Sequence, residues 1–295
     1  MSQVSRNRYE YKAVWTAFAE TEQGARAQVI GDVDEDYILE AAEETRRWLE
    51  ETVAIKSDDV ILEIGCGIGR VGQVLAPRCK RWIGCDVSLN MLGFARQRLA
   101  AFDNVDFVEI SGFDLSPIPS NSVDVVYCTV VFMHLDEWDR YNYILEASRV
   151  LRKGGRIFVD NFNLRTEEGW MVFDGQRRIH PQQRPAAISK SSTPQELEVY
   201  LRQAGFQDIR IREQATWVQA YAVKPEDGNT EGGLLFELQP QADDVGRLFL
   251  AQEHELQQLH AVVAEKNAHI QRLERLLERI ENGRVMRLLR WASRT

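Results

Sequence analysis

The sequence predicts an α/β domain built on a mostly parallel sheet with a C-terminal β-hairpin, followed by a long coiled-coil helix. Short apolar runs alternate with helical patterns from Val53 to Lys224, as they do in sheets that are covered by helices. Two neighbouring strand-like runs, Phe206 to Ile211 and Trp217 to Val223, end this region and predict the hairpin. Beyond residue 245 the apolar residues change to a heptad spacing, which is typical of a coiled coil.

Each element of the predicted domain has its own signal. The apolar runs expected to form parallel strands are Val60 to Ile64, Arg81 to Asp86, Val105 to Ile110, Val123 to Cys128 and Arg156 to Asn161. Helices are expected between them, at Val71 to Leu75, from a cap at Ser88 or Asn90 to Leu99, and at Asp136 to Leu151. Thr193 and Pro194 mark a further helix, because a capping hydroxyl followed by proline is typical of a first turn.

These signals divide the chain into five parts. We expect a helical N-terminal segment over residues 1–52, the α/β domain over 53–225, a linker over 226–245, the coiled coil over 246–283 and a basic amphipathic tail over 284–295. Within the domain, residues 162–193 lack clear periodicity. A segment of that length is usually a functional lid, here one that would shape an acceptor pocket, or a solvated loop.

The composition is that of an ordinary globular protein. Of 295 residues, 44% are hydrophobic and 27% charged, and the net charge of -9 argues against a nucleic-acid-binding chain. No apolar run reaches the roughly 18 residues that a membrane-spanning helix needs. The first residues lack the apolar core of an export signal, so a cytoplasmic location is expected. Cys66, Cys79, Cys85 and Cys128 show no metal-ligand spacing, which favours free thiols and no metal site.

A glycine-rich loop follows the first predicted strand. Glycines allow a tight turn and a close backbone approach to a ligand, and the following helix N-terminus offers N–H donors. Such a loop suits the carboxylate of an amino-acid moiety or a pyrophosphate, and Gly67, Gly69 and Gly72 also fit a dinucleotide-binding motif. Glu63 inside the apolar strand, Asp86 at the end of the second strand and the closing hairpin favour a methyl-donor site instead.

The stretch from Val60 to Val223 resembles the class I S-adenosylmethionine-dependent methyltransferases, which have a Rossmann-like fold. The matching motifs are Glu63-x-Gly65-x-Gly67-x-Gly69, Asp86, Asp114-Leu115 before Ser122-Val123-Asp124, and Arg149-Val150-Leu151-x-x-Gly154-Gly155. The resemblance implies S-adenosylmethionine as cofactor, with its methionine part on the glycine loop and its ribose on Asp86. The implied cofactor residues are Glu63, Gly65, Cys66, Gly67, Gly69, Asp86, Val87, Met91, Gly112, Phe113 and Asp114.

The adenine contacts depart from the family pattern. Many members carry an acid after the third strand that binds the adenine amino group, whereas Ser111, Gly112 and Phe113 align there in this chain. Asp114, backbone groups or Phe113 would serve instead. Met91 would pack on the adenine or belong to the core.

His134 is the candidate for a general base or for orienting the acceptor. It follows the fourth strand, close to the edge of the sheet where α/β proteins bind ligands. A base is needed only when the acceptor must lose a proton, and a helix-capping or partly buried structural histidine is the alternative.

Candidate acceptor-binding residues come from three parts of the chain. Tyr11 and Trp15 of the N-terminal segment would line the pocket or form a hydrophobic staple outside it. Phe132, Asn161 and Asn163 follow predicted strands, and Trp170 belongs to the predicted lid.

The C-terminal heptads have Phe249, Leu256, Val263, Ile270 and Leu277 at one position and Leu259, Leu273 and Ile280 at the other. Gln252 and Lys266 interrupt the second position. This pattern predicts a homo-oligomer or a partner protein held through a coiled coil; the alternative is one amphipathic helix packed on its own domain. The tail over 284–295 would make weak contact with the inner membrane surface or dock to a partner.

The leading hypothesis is methyl transfer to a small-molecule or glycan-type acceptor, in polysaccharide or cell-envelope assembly by analogy. The alternatives are a donor-binding scaffold that acts through its coil and a nicotinamide-dependent oxidoreductase.

Overall fold

The computed structural model describes residues 8–31, 33–226, 258–259 and 261–272. Its helices are α1 Arg8–Phe18, α2 Glu22–Ile30, α3 Glu35–Thr52, α4 Arg70–Leu75, α5 Leu89–Arg98, α6 Glu137–Val150, α7 Glu167–Arg177 and α8 Pro194–Gln203. Its strands are β1 Val60–Ile64, β2 Arg81–Asp86, β3 Val105–Glu109, β4 Val123–Cys128, β5 Leu151–Asn163, β6 Ser191–Ser192, β7 Gln207–Glu213 and β8 Trp217–Val223.

The strands form one sheet in the order β3-β2-β1-β4-β5-β8-β7, with β6 paired to β5. The pairs from β3 to β5 are parallel, whereas β8 lies antiparallel to both β5 and β7. The order reverses between β1 and β4, so a crevice opens at the carboxyl ends of these strands. We call this side of the sheet the carboxyl edge.

A hydrophobic core lies on each face of the sheet, because alternate strand residues point to opposite sides. On one face, Leu62 and Val126 pack with the apolar sides of α6 and α8. On the other face, Ile61, Trp82 and Phe158 pack with α3, α4 and α5. The domain is therefore a three-layer structure whose strands are buried on both sides.

Sequence signals located four of the strands and two of the helix caps. The bounds of β1, β2, β4 and β8 agree with the predicted runs, and the predicted hairpin of β7 and β8 is confirmed. Ser88, rather than Asn90, caps α5 by accepting a hydrogen bond from the backbone N of Met91. Thr193 caps α8 by accepting one from the backbone N of Glu196.

Residues 162–193 contain more regular structure than the sequence indicated. Thr166 caps α7, and a short 3₁₀ turn and β6 follow it. The prediction missed α7 because this helix buries only Gly169 and exposes Trp170 and Met171. Without an apolar face turned to the core, its sequence has no helical periodicity.

The described C-terminal residues form a separate unit. Residues 258–259 and 261–272 are helical and exposed along their whole length. The rest of the predicted coiled coil, the tail and all but the first residue of the predicted linker lie outside the described residues. Among the described helices, none is long and apolar enough to cross a membrane.

Candidate functional site

A pocket opens at the carboxyl edge, between the sheet and the N-terminal helices. It brings together eleven of the predicted site residues: Tyr11, Trp15, Glu63, Gly65, Cys66, Gly67, Asp86, Val87, Met91, Gly112 and His134. The residues that sequence reasoning did not select are Gln28, Val29, Ile64, Arg70, Ile110, Thr129, Val130, Val131, Leu135, Asp139 and Tyr143. Thus the ends of β1, β2 and β4 meet α1 and α2 around one cavity.

The glycine loop has the conformation that its glycines permit. Gly65 has φ of 73°, and a Cβ there would lie 2.4 Å from Cγ2 of Val131. The backbone N atoms of Gly65 and Cys66 both donate to the carbonyl oxygen of Cys85 at 2.8 Å, which ties the loop to β2. A side chain at position 65 would separate the loop from the wall after β4.

Glu63 is a buried carboxyl group on β1. The hydroxyl of Tyr127 donates to its Oε2, and Trp82 Nε1 donates to that hydroxyl at 3.0 Å. Burial raises the pKa of Glu63 to about 8, although the Tyr127 hydrogen bond and the positive charge of Arg70 act in the opposite direction. The carboxyl is therefore held by the protein while it lines the pocket.

Asp86 connects the end of β2 to the glycine loop. Its Oδ2 accepts a hydrogen bond from the backbone N of Gly67, and its Oδ1 accepts one from Ser88, both at 2.9 Å. Burial raises the pKa of Asp86 to about 6, against the effect of these backbone donors. Each carboxylate oxygen has a second lone pair, so Asp86 can also accept from a ligand hydroxyl.

His134 lies in a 3₁₀ turn, Phe132–His134, that follows β4. The ring of Trp15 packs edge-on against it with centroids 4.7 Å apart, and the Tyr11 hydroxyl donates to the His134 carbonyl oxygen. Burial lowers the pKa of His134 to about 4, so the ring is neutral at neutral pH. Its Nδ1 is buried without a hydrogen-bond partner in the described structure.

Arg70 and Thr129 are polar pocket residues that the sequence analysis missed. The Nη1 atom of Arg70 donates to the Ala41 carbonyl at 3.2 Å and to Thr45 Oγ1 at 3.1 Å, and burial lowers its pKa. Thr129 Oγ1 is buried without a partner among the described residues. Arg70 directly follows the glycine motif and Thr129 directly follows β4, and these positions were the available signals.

Three predicted cofactor residues do not line the pocket. Gly69, with φ of 76°, forms the N-cap of α4 and packs close to Leu99. Phe113 is 44% exposed, and Asp114 accepts hydrogen bonds from Ser111 Oγ and the backbone N of Ser116. The pocket is instead lined by Ile110, Gly112 and Met91, and Met91 also belongs to a small core cluster.

Four predicted acceptor residues also lie outside the pocket. Phe132 is buried in the core, and the Asn161 amide donates to Ser192 Oγ at 2.7 Å. Asn163 donates to Glu213 at 3.0 Å, and Trp170 is exposed on α7. The side chains of Asn161 and Asn163 therefore have hydrogen-bond partners within the protein, and they support the chain around β6. Within the described residues, no cluster of His, Cys, Asp and Glu could hold a metal ion.

Comparison with known proteins agrees with this geometry. A family model described as a methyltransferase domain matches residues 62–159, from β1 to β5. This segment of the chain is therefore similar to a methyltransferase domain. The matched segment contains the glycine loop, Asp86 and His134, so the resemblance stated from the sequence is confirmed for this part of the chain.

Two relatives show distant sequence similarity. The methyltransferase GfsG of Streptomyces halstedii is 27% identical over 169 residues, which cover 53% of this chain and 60% of that protein. A malonyl-acyl-carrier-protein O-methyltransferase of Methylococcus capsulatus is 27% identical over 157 residues, 51% of this chain and 53% of that protein. The chain therefore spans little more than half the length of these relatives.

A solved structure shows the same fold. Magnesium protoporphyrin IX methyltransferase from Synechocystis, with bound S-adenosylhomocysteine, superposes with a TM-score of 0.57 at 17% identity. The match covers 74% of this chain and all of that chain. At this identity the similarity establishes the fold alone.

Proposed function

We propose that this chain transfers the methyl group of S-adenosylmethionine to a small-molecule acceptor. The observation that carries the proposal is that Glu63, the glycine loop, Asp86 and His134 line one pocket under α1. A donor site and a candidate base thus share a cavity that an N-terminal helix covers. Such an arrangement suits an in-line methyl displacement, which mainly requires alignment of the reactants and exclusion of water.

The residues of the pocket fit the donor. The turn at Gly65 leaves room for a close backbone approach, and the unpartnered hydroxyl of Thr129 offers a further polar contact. Gly65 and Gly67 would hold the methionine part, Asp86 the ribose, and Met91, Ile110 and Gly112 the adenine. The donor supplies an activated methyl group on a sulfonium, which needs no further activation by the protein.

His134 would accept the proton of a hydroxyl acceptor. Its ring is neutral at neutral pH, and its buried Nδ1 has no partner among the described residues, so a lone pair is available. Trp15 and the Tyr11 hydroxyl fix the turn that carries the ring. We therefore favour an acceptor that must lose a proton, as the hydroxyl of a glycan-type molecule must. A role in polysaccharide or cell-envelope assembly is the corresponding biological proposal.

We further propose that a second copy of the chain covers the C-terminal helix. Leu259, Val263 and Ile270 belong to the predicted heptad seam and are 51% to 56% exposed in the single chain. An apolar stripe of this kind favours a coiled coil. The cytoplasmic location and the membrane or partner contact of residues 284–295 stay predictions.

Titration calorimetry with S-adenosylhomocysteine, and separately with NAD, tests the donor site. We expect S-adenosylhomocysteine to bind and Asp86→Ala to weaken its binding about tenfold or more, because charge-assisted hydrogen bonds are lost. Asp58→Ala removes an exposed acid near β1 and serves as the matched control. Binding of NAD alone would overturn the proposal in favour of an oxidoreductase.

The scaffold hypothesis needs a second measurement, since donor binding does not prove turnover. An acceptor screen with S-adenosylmethionine should yield a methylated product, and His134→Gln should slow its formation while leaving S-adenosylhomocysteine binding unchanged. The exposed His180→Gln is the control. Donor binding with no product from any acceptor class would favour a scaffold.

A further inference from the structure

β5 carries a buried carboxylate that the proposed reaction does not use. Asp160 is 1% exposed, and its Oδ1 accepts a hydrogen bond from the backbone N of Val130 at 2.8 Å. We propose that Asp160 is a positioning residue, which holds the left-handed backbone of Val130 and, through it, the wall of the donor pocket. This inference rests on the proposed function, because the pocket concerned is the donor site.

Val130 has a backbone conformation that valine seldom adopts. Its φ is 61°, in the left-handed region, where a β-branched side chain is sterically disfavoured. Such a residue persists only where its surroundings hold it, and it is common at functional sites. Val130 lies two residues after β4 and lines the pocket. The hydrogen bond from its N–H to Asp160 is a side-chain contact that holds this turn.

The strained turn sets the position of the pocket wall. Thr129, Val130 and Val131 all line the pocket. A Cβ on Gly65 would lie only 2.4 Å from Cγ2 of Val131. The Val131 side chain therefore packs directly on the glycine loop. A continuous series of contacts therefore runs from Asp160 on β5, through the Val130 turn, to the loop after β1. Loss of the first contact would release the turn and let the wall shift against the glycine loop.

Burial of a carboxylate at this position is energetically unfavourable, which argues that Asp160 has a specific role. Its Oδ2 is buried and has no hydrogen-bond partner among the described residues. Burial raises the pKa of Asp160 to about 7, and the positive charge of Arg70 acts in the opposite direction. An apolar residue would avoid this cost but would leave the Val130 N–H without its acceptor. Gln219 lies directly across the antiparallel pair from Asp160, on the same face.

Four variants test the proposal by S-adenosylhomocysteine affinity and thermal unfolding. Asp160→Asn keeps an acceptor oxygen at the same place, whereas Asp160→Leu removes it at similar volume. Val130→Gly permits the left-handed backbone without strain, because glycine has no Cβ. The double variant Asp160→Leu with Val130→Gly then asks whether relief of the strain replaces the hydrogen bond.

We expect Asp160→Asn to bind within about threefold of the wild type and Asp160→Leu to bind at least tenfold more weakly. In the Val130→Gly background, Asp160→Leu should lower the affinity for S-adenosylhomocysteine by less than about threefold. Equal losses in both backgrounds, or an Asp160→Asn variant as weak as Asp160→Leu, would overturn the positioning role. A residue that only supports the fold would lower the unfolding temperature without rescue by glycine at position 130.

Hydrogen exchange gives a readout that does not need a folded Asp160→Leu variant. The Val130 amide should be strongly protected in the wild type and in Asp160→Asn, since both retain the acceptor. Rapid exchange of this amide in the folded wild type would overturn the proposal. If the wild type binds no S-adenosylhomocysteine at all, the proposed function fails instead, so the two failures are distinguishable.

Discussion

At the scale of single residues, Glu63 illustrates how the fold uses a buried acid. The strand around it is apolar, and the sheet surrounds it on both sides. Tyr127 and Trp82 provide the hydrogen-bonded partners that such a carboxyl requires. Because burial still raises its pKa to about 8, the folded protein binds a proton here that the unfolded chain releases near pH 4.

This pKa shift predicts a dependence of stability on pH. Between about pH 4 and pH 8 the native state holds more protons at Glu63 than the unfolded state, so the free energy of unfolding falls as the pH rises. Glu63→Gln keeps an acceptor for Tyr127 and removes the titration. From pH 5 to pH 8, the free energy of unfolding of this variant should fall by less than that of the wild type. The difference should be on the order of a few kcal/mol. Urea unfolding at both pH values measures this difference.

The exposed Glu40→Gln provides the control, since it also removes one acid. Asp86 and Asp160 have raised pKa values too, so some decline with pH should remain in Glu63→Gln. An unchanged decline would mean that Glu63 is ionised in the native state.

At the scale of elements, α1 is the part of the fold that completes the site. The strand ends provide the floor of the pocket, whereas Tyr11 and Trp15 reach it from a helix more than 40 residues earlier in the chain. The Tyr11 hydroxyl and an ion pair between Lys12 and Glu109 attach this helix to the domain. The Asn90 amide also donates to the carbonyl oxygen of Thr16 in this helix, at 3.4 Å.

We expect Trp15→Ala to weaken S-adenosylhomocysteine binding about tenfold, because the ring lines the pocket. Calorimetry measures the change. Trp138→Ala is a matched control, since Trp138 is 62% exposed and does not line the pocket. Equal affinities for Trp15→Ala and the wild type would show that α1 does not cover the bound donor.

At the scale of the whole molecule, the chain combines a donor-binding domain with a helix whose apolar residues are exposed. Val263 is 54% exposed and Ile270 is 51% exposed, and both fall on the same heptad position. Exposed apolar residues at this spacing favour association between chains. The domain itself already has a core on each face of its sheet.

The proposed coiled coil predicts a change of mass in solution. Val263→Glu together with Ile270→Glu should dissociate the wild-type oligomer, because two charges would enter the seam. Sedimentation equilibrium measures the mass. Ala268→Glu, on the opposite side of the helix, should leave the mass unchanged. The affinity for S-adenosylhomocysteine should be the same in every variant. A monomeric wild type, or an oligomer that survives both seam charges, would contradict the proposal.

Local sequence signals were enough to predict the parallel strands, the closing hairpin and the pocket residues Glu63, Gly65 and Asp86. Local signals sufficed there: apolar runs mark β1, β2 and β4, and Ser88 and Thr193 mark helix starts. Glu63, the glycine loop and Asp86 lie at strand ends, and parallel strands bring such ends to one edge whatever the remaining packing is.

Which polar residues face the pocket depends on tertiary packing. Asn161 and Asp160 are neighbours on β5, yet adjacent strand residues point to opposite faces, so Asn161 bonds Ser192 while Asp160 holds Val130. The left-handed turn at Val130 and the approach of Trp15 to His134 join distant segments, and no local pattern encodes them. Their positions depend on how the sheet and the N-terminal helices pack, which periodicity and motif spacing do not specify.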